Sequence, residues 1–175
     1  MPDLETPRLI LRRWKEADRE PFSQINADPQ VMEFFPACLT REESDALIGR
    51  AEAHFEKHGF GPYAAELRAT AELIGFVGLF IPRFEAYFTP CVEIGWRLSA
   101  SRWNQGLATE GADAVLRLAF DTLGLPEIVA FTAPANLRSR RVMEKLGMDC
   151  DGEFDHPRLP EGHPLRRHLL YRKRA

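Results

Sequence analysis

The chain has 175 residues, of which 45% are hydrophobic and 28% are charged, a balance typical of one globular domain with a sizeable core. A formal net charge of −3 at pH 7 disfavours binding to nucleic acid or to an anionic membrane surface. No apolar run approaches the roughly 20 residues that span a bilayer, and the first residues lack the order of a signal peptide. We therefore expect a single cytoplasmic domain over residues 1–175, with neither nucleic acid nor membrane as partner.

Hydrophobic periodicity and turn residues predict the elements in chain order. A short strand comes first, and two helices follow, the second beginning at Thr40, which with Glu43 has the spacing of a capping box. The predicted strands are 8–12, 63–67, 73–81, 92–98, 128–132, 148–154 and 167–172, and the predicted helices are 15–26, 40–57, 108–120 and 137–146. This order predicts a mixed α/β fold, with a twisted sheet of about seven strands and about four helices on its two faces.

Two local features of this pattern bear on function. Gly95 lies inside the alternating strand Val92–Leu98, where a glycine indicates a bulge or a close backbone neighbour. The loop 82–90 carries Phe84, Tyr87 and Phe88, which we expect to be exposed, either at a dimer contact or at the mouth of a substrate site. A homodimer is therefore left open.

The cysteines and histidines predict neither a metal site nor a disulfide framework. Cys38, Cys91 and Cys150 are widely spaced and odd in number, so we expect reduced, buried thiols. His54 and His58 have the i, i+4 spacing of a helical metal pair, but no third ligand accompanies them, and we predict no bound metal.

The segment from Ser101 to Glu110 follows a strand and opens an amphipathic helix. Its small residues, Gly106 and Ala108, let the backbone bend tightly and approach a ligand closely. The helix that follows directs free N–H groups and its positive dipole end at this turn. Such a turn can hold a pyrophosphate with backbone atoms alone; the plain alternative is an ordinary helix N-terminus.

A second segment, from Asn136 to Met148, has the pattern Asn-x-x-Ser-x-x-apolar-x-x-Lys-x-Gly-apolar. Together the two segments resemble the Gcn5-related N-acetyltransferases, and the opening Thr6–Arg12 looks like the branch that includes the ribosomal-protein N-terminal acetylating enzymes. The resemblance implies the fold of that family. It also implies transfer of an acetyl group from acetyl-CoA to a primary amine, by direct attack in a ternary complex. The acceptor would be a small molecule or a protein N-terminus.

The resemblance also assigns cofactor-binding roles to matching positions. Backbone groups of the strand 92–98 would lie along the pantetheine arm and polarise the carbonyl. Trp103 stands where the family usually has Arg or Gln, which removes a charged ligand, and Arg102 or Gln105 is the candidate to compensate. The predicted cofactor-binding residues are Trp96, Leu98, Trp103, Asn104, Gln105, Gly106, Leu107, Ala108, Thr109, Asn136 and Arg141.

The second segment carries a set of basic residues beside these positions. Arg138, Arg141 and Lys145 share one helix face, which either meets the 3′-phosphate of CoA or is a solvated face. For Asn136, the alternative to a contact with pantetheine is an N-cap, and both can hold at once.

Two residues are predicted to be catalytic. Glu93 lies on the strand that lines the reaction centre and faces away from Trp96, so it is the candidate general base. Its alternative is a solvated sheet carboxylate or one paired with Arg97. Ser139 is the candidate donor to the leaving thiolate, since many proteins of the family it resembles use a tyrosine one turn into this helix and this sequence has none there. Capping of the helix is the competing role of Ser139. His156 and His163 are candidates for an alternative base or for a contact with the substrate.

Two other classes of function are alternatives to an acetyltransferase. The first is a catalytically silent module that binds acyl-CoA and regulates. The second is a nucleotide-binding enzyme, which is disfavoured because neither Gly-x-x-x-x-Gly-Lys-Ser/Thr nor Gly-x-Gly-x-x-Gly occurs.

Overall fold

The computed structural model describes residues 3–175, which form an eight-stranded sheet with helices on both faces. The strands are β1 (Leu4–Glu5), β2 (Leu9–Arg12), β3 (Pro62–Leu67), β4 (Leu73–Phe80), β5 (Glu93–Leu98), β6 (Glu127–Thr132), β7 (Asp149–Asp155) and β8 (Arg167–Arg174). The helices are α1 (Arg19–Ala27), α2 (Arg41–His58), α3 (Leu107–Arg117) and α4 (Leu137–Lys145). In the described range, none of them has the length and apolar character that a membrane crossing requires.

The strand order β1-β2-β3-β4-β5-β6-β8-β7 places β5 and β6 at the centre of the sheet. These two strands are parallel, whereas the other neighbours are antiparallel. Within residues 3–175 their register is a single pair, Glu93 opposite Val129, next to a 3.0 Å hydrogen bond from the Val129 N–H to the Val92 carbonyl. Beyond that pair the two strands separate, and the middle of the sheet opens.

Helices cover the two faces of the sheet because successive residues of β4 point to opposite sides. Phe76 meets the ring of Phe22 in α1, with ring centroids 6.2 Å apart. The next residue, Val77, approaches α3 so closely that a Cβ added at Gly111 would lie 3.2 Å from its side chain. We call these two sides the α1 face and the α3 face.

Local sequence signals at the helix ends are confirmed. Thr40 Oγ1 accepts a hydrogen bond from the Glu43 N–H at 3.2 Å, and the Glu43 carboxylate accepts one from the Thr40 N–H at 2.8 Å. Gly147 follows α4 with a φ of 67°, the left-handed conformation expected after a helix C-terminus.

The observed sheet differs from the prediction in two details. There are eight strands instead of about seven, because β1 is only two residues long and too short to show a period. Gly95 lies opposite Gly78 in a continuous register between β4 and β5, so it is not a bulge. The close neighbour is a side chain and not a backbone segment, since a Cβ added at Gly95 would lie 3.2 Å from the Phe80 ring.

Two expectations about exposure are also wrong. Phe88 is 8% exposed and packs with the partly buried Phe84 against the α1 face of β6, which leaves Tyr87, 66% exposed, as the outward aromatic of that loop. Cys38 and Cys150 are exposed, because one lies between α1 and α2 and the other on the edge strand β7.

Candidate functional site

A cleft of about 830 Å³ passes through the opening between β5 and β6 and is lined from both faces of the sheet. It brings together both predicted catalytic residues and all predicted cofactor-binding residues except Gln105. On the α1 face it is lined mainly by aromatic and apolar side chains, and its lining there includes Trp14, Phe34, Phe35, Phe76, Phe80 and Phe131. No residue of the loop 82–90 is among the described lining residues, so the lining of the cleft does not support the alternative that this loop forms a substrate mouth.

The turn before α3 is shaped for an anion. Asn104 and Gly106 have φ values of 59° and 78°, so the chain folds back on itself just before the helix starts. The Glu110 N–H donates to the Gly106 carbonyl at 3.0 Å and closes the first turn. Within the described chain, the N–H groups of residues 104–109 have no backbone acceptor. They are the free donors that a pyrophosphate requires.

Arg8 braces this turn from β2. Its Nη1 donates to the Gln105 carbonyl at 2.8 Å, and its Nε donates to Glu110 at 2.7 Å. Burial raises the pKa of Glu110, but hydrogen bonds from Thr6 and Arg8 outweigh it, and the pKa is lowered. Sequence reasoning missed Arg8, although its place in the opening that resembles the ribosomal-type branch was the available signal.

The residues expected to replace the missing charged ligand have other partners. Arg102 pairs with Glu72, and Gln105 Nε2 donates to the Ser101 carbonyl at 3.2 Å. Trp103 Nε1 donates to the Leu98 carbonyl at 2.9 Å, and the Arg138 guanidinium lies 4.3 Å from its ring centroid. Trp103 therefore presents its ring to the cleft and supports the turn.

The open edge of β5 carries free donors. The Ser99 N–H donates to the Ile74 carbonyl of β4 at 2.8 Å, and N–H groups alternate sides along an antiparallel strand. The N–H groups of Trp96 and Leu98 consequently point away from β4, to the side where β6 has diverged. These donors face the cleft.

Asn136 and Ser139 form a hydrogen-bonded pair at the start of α4. Asn136 caps the helix by accepting from the Ser139 N–H at 3.3 Å, and its Nδ2 donates to Ser139 Oγ at 3.2 Å and to Thr132 Oγ1 at 3.0 Å. Ser139 Oγ is an acceptor in this pair, which leaves its own O–H available as a donor.

The basic face of α4 is divided. Arg138 Nη2 pairs with Glu33 of the segment between α1 and α2 at 2.7 Å, so it bridges the cleft. Arg141 and Lys145 also line the cleft, and neither is in an ion pair within the part of the chain that the structure describes.

The half-buried Glu93 lies at the point where β5 and β6 separate. Burial alone raises the pKa of its carboxyl to about 8. A Cβ added at Gly95 would lie 3.9 Å from Glu93 Oε1, so the carboxylate leans along β5 over the glycine. The alternative of an ion pair with Arg97 is wrong, because Arg97 Nη1 donates instead to Asn26 Oδ1 at 2.6 Å.

The histidines of the cleft are His156 and His168, with ring centroids 5.1 Å apart. Burial, with smaller contributions from His168 and Arg158, lowers the pKa of His156 to about 4. Burial also lowers the pKa of His168, so both rings are neutral at pH 7. His163 is not among the described lining residues. Sequence reasoning missed His168, since a lone histidine within a strand has no distinctive spacing.

The helical pair His54 and His58 is not arranged around a cation. His54 Nδ1 lies 2.7 Å from the Phe60 carbonyl, and His54 Nε2 accepts from the Ile81 N–H at 3.1 Å. Both ring nitrogens of His54 thus join α2 to the backbone of the next segments.

The sequence and the fold of this chain are similar to those of known proteins. The acetyltransferase (GNAT) domain family matches residues 8–149. The chain is 31% identical over 162 residues to YnaD, an uncharacterized N-acetyltransferase of Bacillus subtilis, covering 91% of this chain and 89% of that protein. The acetyltransferase from Agrobacterium tumefaciens superposes with a TM-score of 0.80 at 28% identity, covering 100% of this chain and 95% of that one. Mycobacterium smegmatis RimJ in complex with CoA-disulfide shares the fold, with a TM-score of 0.78 at 21% identity over 99% and 86% of the two chains.

Proposed function

The chain belongs to the acetyltransferase (GNAT) family and is an N-acetyltransferase, and we propose that its cleft takes acetyl-CoA between β5 and β6 and a primary amine on the α1 face. Acetyl-CoA, which this family uses, supplies an acetyl group activated as a thioester. A silent acyl-CoA-binding module is not favoured, because the relatives are N-acetyltransferases.

Binding of the cofactor would depend on backbone donors. The N–H groups of residues 104–109 would surround the pyrophosphate, at the positive end of the α3 dipole. Arg8 supports this role because it fixes the Gln105 carbonyl and so the orientation of the turn. Arg141 and Lys145 have no partner in the described chain that competes for a phosphate group, which supports a contact with the 3′-phosphate.

Orientation of the reacting carbonyl would fall to β5 and α4. The N–H groups of Trp96 and Leu98 face the gap, where donors aimed at a developing oxyanion lower its free energy by a few kcal/mol. The Ser139 hydroxyl, held by Asn136, would give a proton to the leaving sulfur. Neither role needs a charged side chain.

Glu93 would accept the proton of the amine. A carboxyl with a pKa of about 8 is close to an α-amine, whose ordinary pKa is ~8, and lies ~2 units below a lysine amine. Proton transfer to Glu93 is therefore far less uphill than to an ordinary glutamate, which lies ~6 units below lysine. A general base works best when its pKa is near the working pH.

The position of the Glu93 carboxylate, half-buried where β5 and β6 separate, is the observation that carries this proposal. The test compares Glu93→Gln with Glu85→Gln, an exposed carboxylate outside the cleft. Calorimetry gives the Kd for acetyl-CoA, and release of free thiol gives turnover on a panel of amino acids, peptides and polyamines.

We expect E93Q to bind acetyl-CoA as the wild type does and to lose ~10²- to 10⁴-fold in kcat, with E85Q unchanged. Wild-type turnover in E93Q would instead assign the base elsewhere, with His168 the next candidate. Binding of acetyl-CoA without turnover on any amine would instead favour the alternative of a catalytically silent acyl-CoA-binding module.

A further inference from the structure

Arg97 is a charged residue of the cleft that the proposed acetyl transfer does not use. It lies on the same side of β5 as Glu93, because the two are four residues apart, and it lines the α1 face of the cleft. Its guanidinium lies 4.1 Å from the ring centroid of Phe35 and 5.6 Å from that of Phe76.

The polar partners of Arg97 leave its charge uncompensated. Nη1 donates to the amide oxygen of Asn26 at 2.6 Å, and the Nδ2 of Asn26 donates to Ser44 Oγ at 2.8 Å. Nε is buried without a hydrogen-bond partner, and no carboxylate of residues 3–175 forms an ion pair with the guanidinium. Burial lowers the pKa of Arg97 to about 10.

Burying such a charge destabilises the fold unless a ligand supplies the counter-charge. A buried guanidinium without an anion loses hydration that aromatic rings and a neutral amide replace only in part. A methionine or leucine would fill the same space without this cost. Arg97 is only partly buried and lines the cleft, so a ligand in the cleft can reach it.

We propose that Arg97 binds a carboxylate of the acceptor whose amine reaches Glu93, so that the acceptor is an amino acid or a peptide with a carboxylate near its amine. This inference rests on the proposed N-acetyltransferase function and names its substrate class. A polyamine is excluded as the preferred acceptor, because its second cation would face Arg97.

The spacing on β5 agrees with such an acceptor. The Cα atoms of Glu93 and Arg97 are ~13 Å apart along an extended strand, and the Glu93 carboxylate leans toward Arg97, to within 3.9 Å of a Cβ added at Gly95. Gly95 has no side chain to occupy the space between the two charges. A molecule with an amine and a carboxylate a few bonds apart fits this interval.

The test uses matched acceptors that differ in one charge. Glycine and glycylglycine are compared with glycinamide and glycylglycinamide, and the peptide amide Ala-Asp-Ala with Ala-Asn-Ala. The first set probes a free terminal carboxylate, and the second probes an acidic side chain beside a peptide N-terminus. The kcat/KM of each acceptor is measured at saturating acetyl-CoA in the wild type, in Arg97→Gln and in Asn26→Asp.

We expect the wild type to prefer the carboxylate member of at least one set by about 10- to 100-fold in kcat/KM, mainly through KM, as for an ion pair shielded from solvent. R97Q should lose this preference. N26D, almost identical in shape to asparagine, should lose most of it as well, because it gives Arg97 a carboxylate of its own. N26D also serves if R97Q does not fold.

Equal kcat/KM for both members of every set in the wild type, or a preference that survives in R97Q and N26D, would overturn the inference. The proposed function would still stand in that case, since amines are acetylated. If none of these acceptors is acetylated but another amine of the wider panel is, the inference is overturned and the proposed function stands; if no amine of that panel is acetylated although acetyl-CoA binds, the proposed function itself fails.

Discussion

Two sets of charged side chains lie on or against the sheet. Only one of these sets is neutralised by ion pairs within the described chain. In the closed half, between β2 and β3, the Arg12 guanidinium pairs with Asp18 and with Glu66, each at 2.7 Å. These side chains are 7%, 5% and 11% exposed. In the open half, β5 carries Glu93 and Arg97, and the chain pairs neither of them with an opposite charge within the described residues.

The pKa values follow this difference. The hydrogen bonds that Arg12 donates to Asp18, partly opposed by burial, raise the pKa of Arg12. Burial lowers the pKa of Arg97 to about 10 and raises that of Glu93 to about 8, so each cleft residue is pushed toward its neutral form. In the closed half the chain supplies the counter-charge, whereas in the cleft the partner has to come from a ligand.

The largest expected effect is on the free energy of unfolding, when Arg12 and Arg97 are each replaced by methionine. Arg12→Met removes the guanidinium from two buried carboxylates, leaves Glu66 with only the exposed Lys15 ammonium at 3.5 Å, and should lower the free energy of unfolding by ~3–5 kcal/mol. Arg97→Met removes a charge without a counter-ion and should leave that free energy unchanged or raise it. Urea unfolding of both variants measures the contrast. Equal losses would mean that Arg97 has a structural role like that of Arg12.

A smaller effect on stability is expected from a change of pH, because burial raises the pKa of Glu93. The raised pKa means that the folded chain holds a proton which the unfolded chain releases above its ordinary pKa near 4.5. Stability from this group is therefore present below pH 4.5 and is lost as pH rises to about 8. Glu93→Gln removes the loss, so its Tm should exceed that of the wild type by several degrees at pH 8 and equal it near pH 4.5. A Tm difference that does not vary with pH would contradict the burial of the carboxyl.

The sequence predicted what depends on neighbours along the chain. The order of the main elements, the capping box at Thr40 and the glycine after α4 follow from periodicity and from residues three or four positions apart. The turn at Gly106 and the cap at Asn136 were predicted for the same reason. Each is a local feature whose backbone conformation its own residues favour.

What the sequence could not predict depends on contacts between distant segments. Arg97 meets Asn26 across 71 positions, and Arg8 reaches Glu110 across 102. His156 and His168 meet because β7 and β8 pair, which no spacing rule reveals. The sequence of β5 alone leaves a bulge at Gly95 as one of two alternatives. Only the pairing of Gly95 with Gly78 on β4 shows that the register is continuous.

The smallest effect is expected from adding one methyl group at Gly95, which lies between Glu93 and Arg97 on β5. The methyl group of Gly95→Ala would lie 3.2 Å from the Phe80 ring and 3.9 Å from Glu93 Oε1. Because it occupies the space between Glu93 and Arg97, we expect kcat/KM to fall about 10-fold, a loss of about 1.4 kcal/mol in transition-state stabilisation. The free energy of unfolding should change by less than ~1 kcal/mol, since Phe80 can shift by a few tenths of an ångström.

Gly49→Ala is the matched control, because a Cβ at Gly49 in α2 meets no atom within 4 Å. Alanine is favoured over glycine in a helix interior, so this variant should be as active as the wild type and more stable by ~0.5–1 kcal/mol. Steady-state kinetics and urea unfolding of the two variants separate a change in the cleft from a general response to an added methyl group. Wild-type kcat/KM in G95A would show that the space above Gly95 is not needed by the acceptor, and that the two charges of β5 do not act on one molecule.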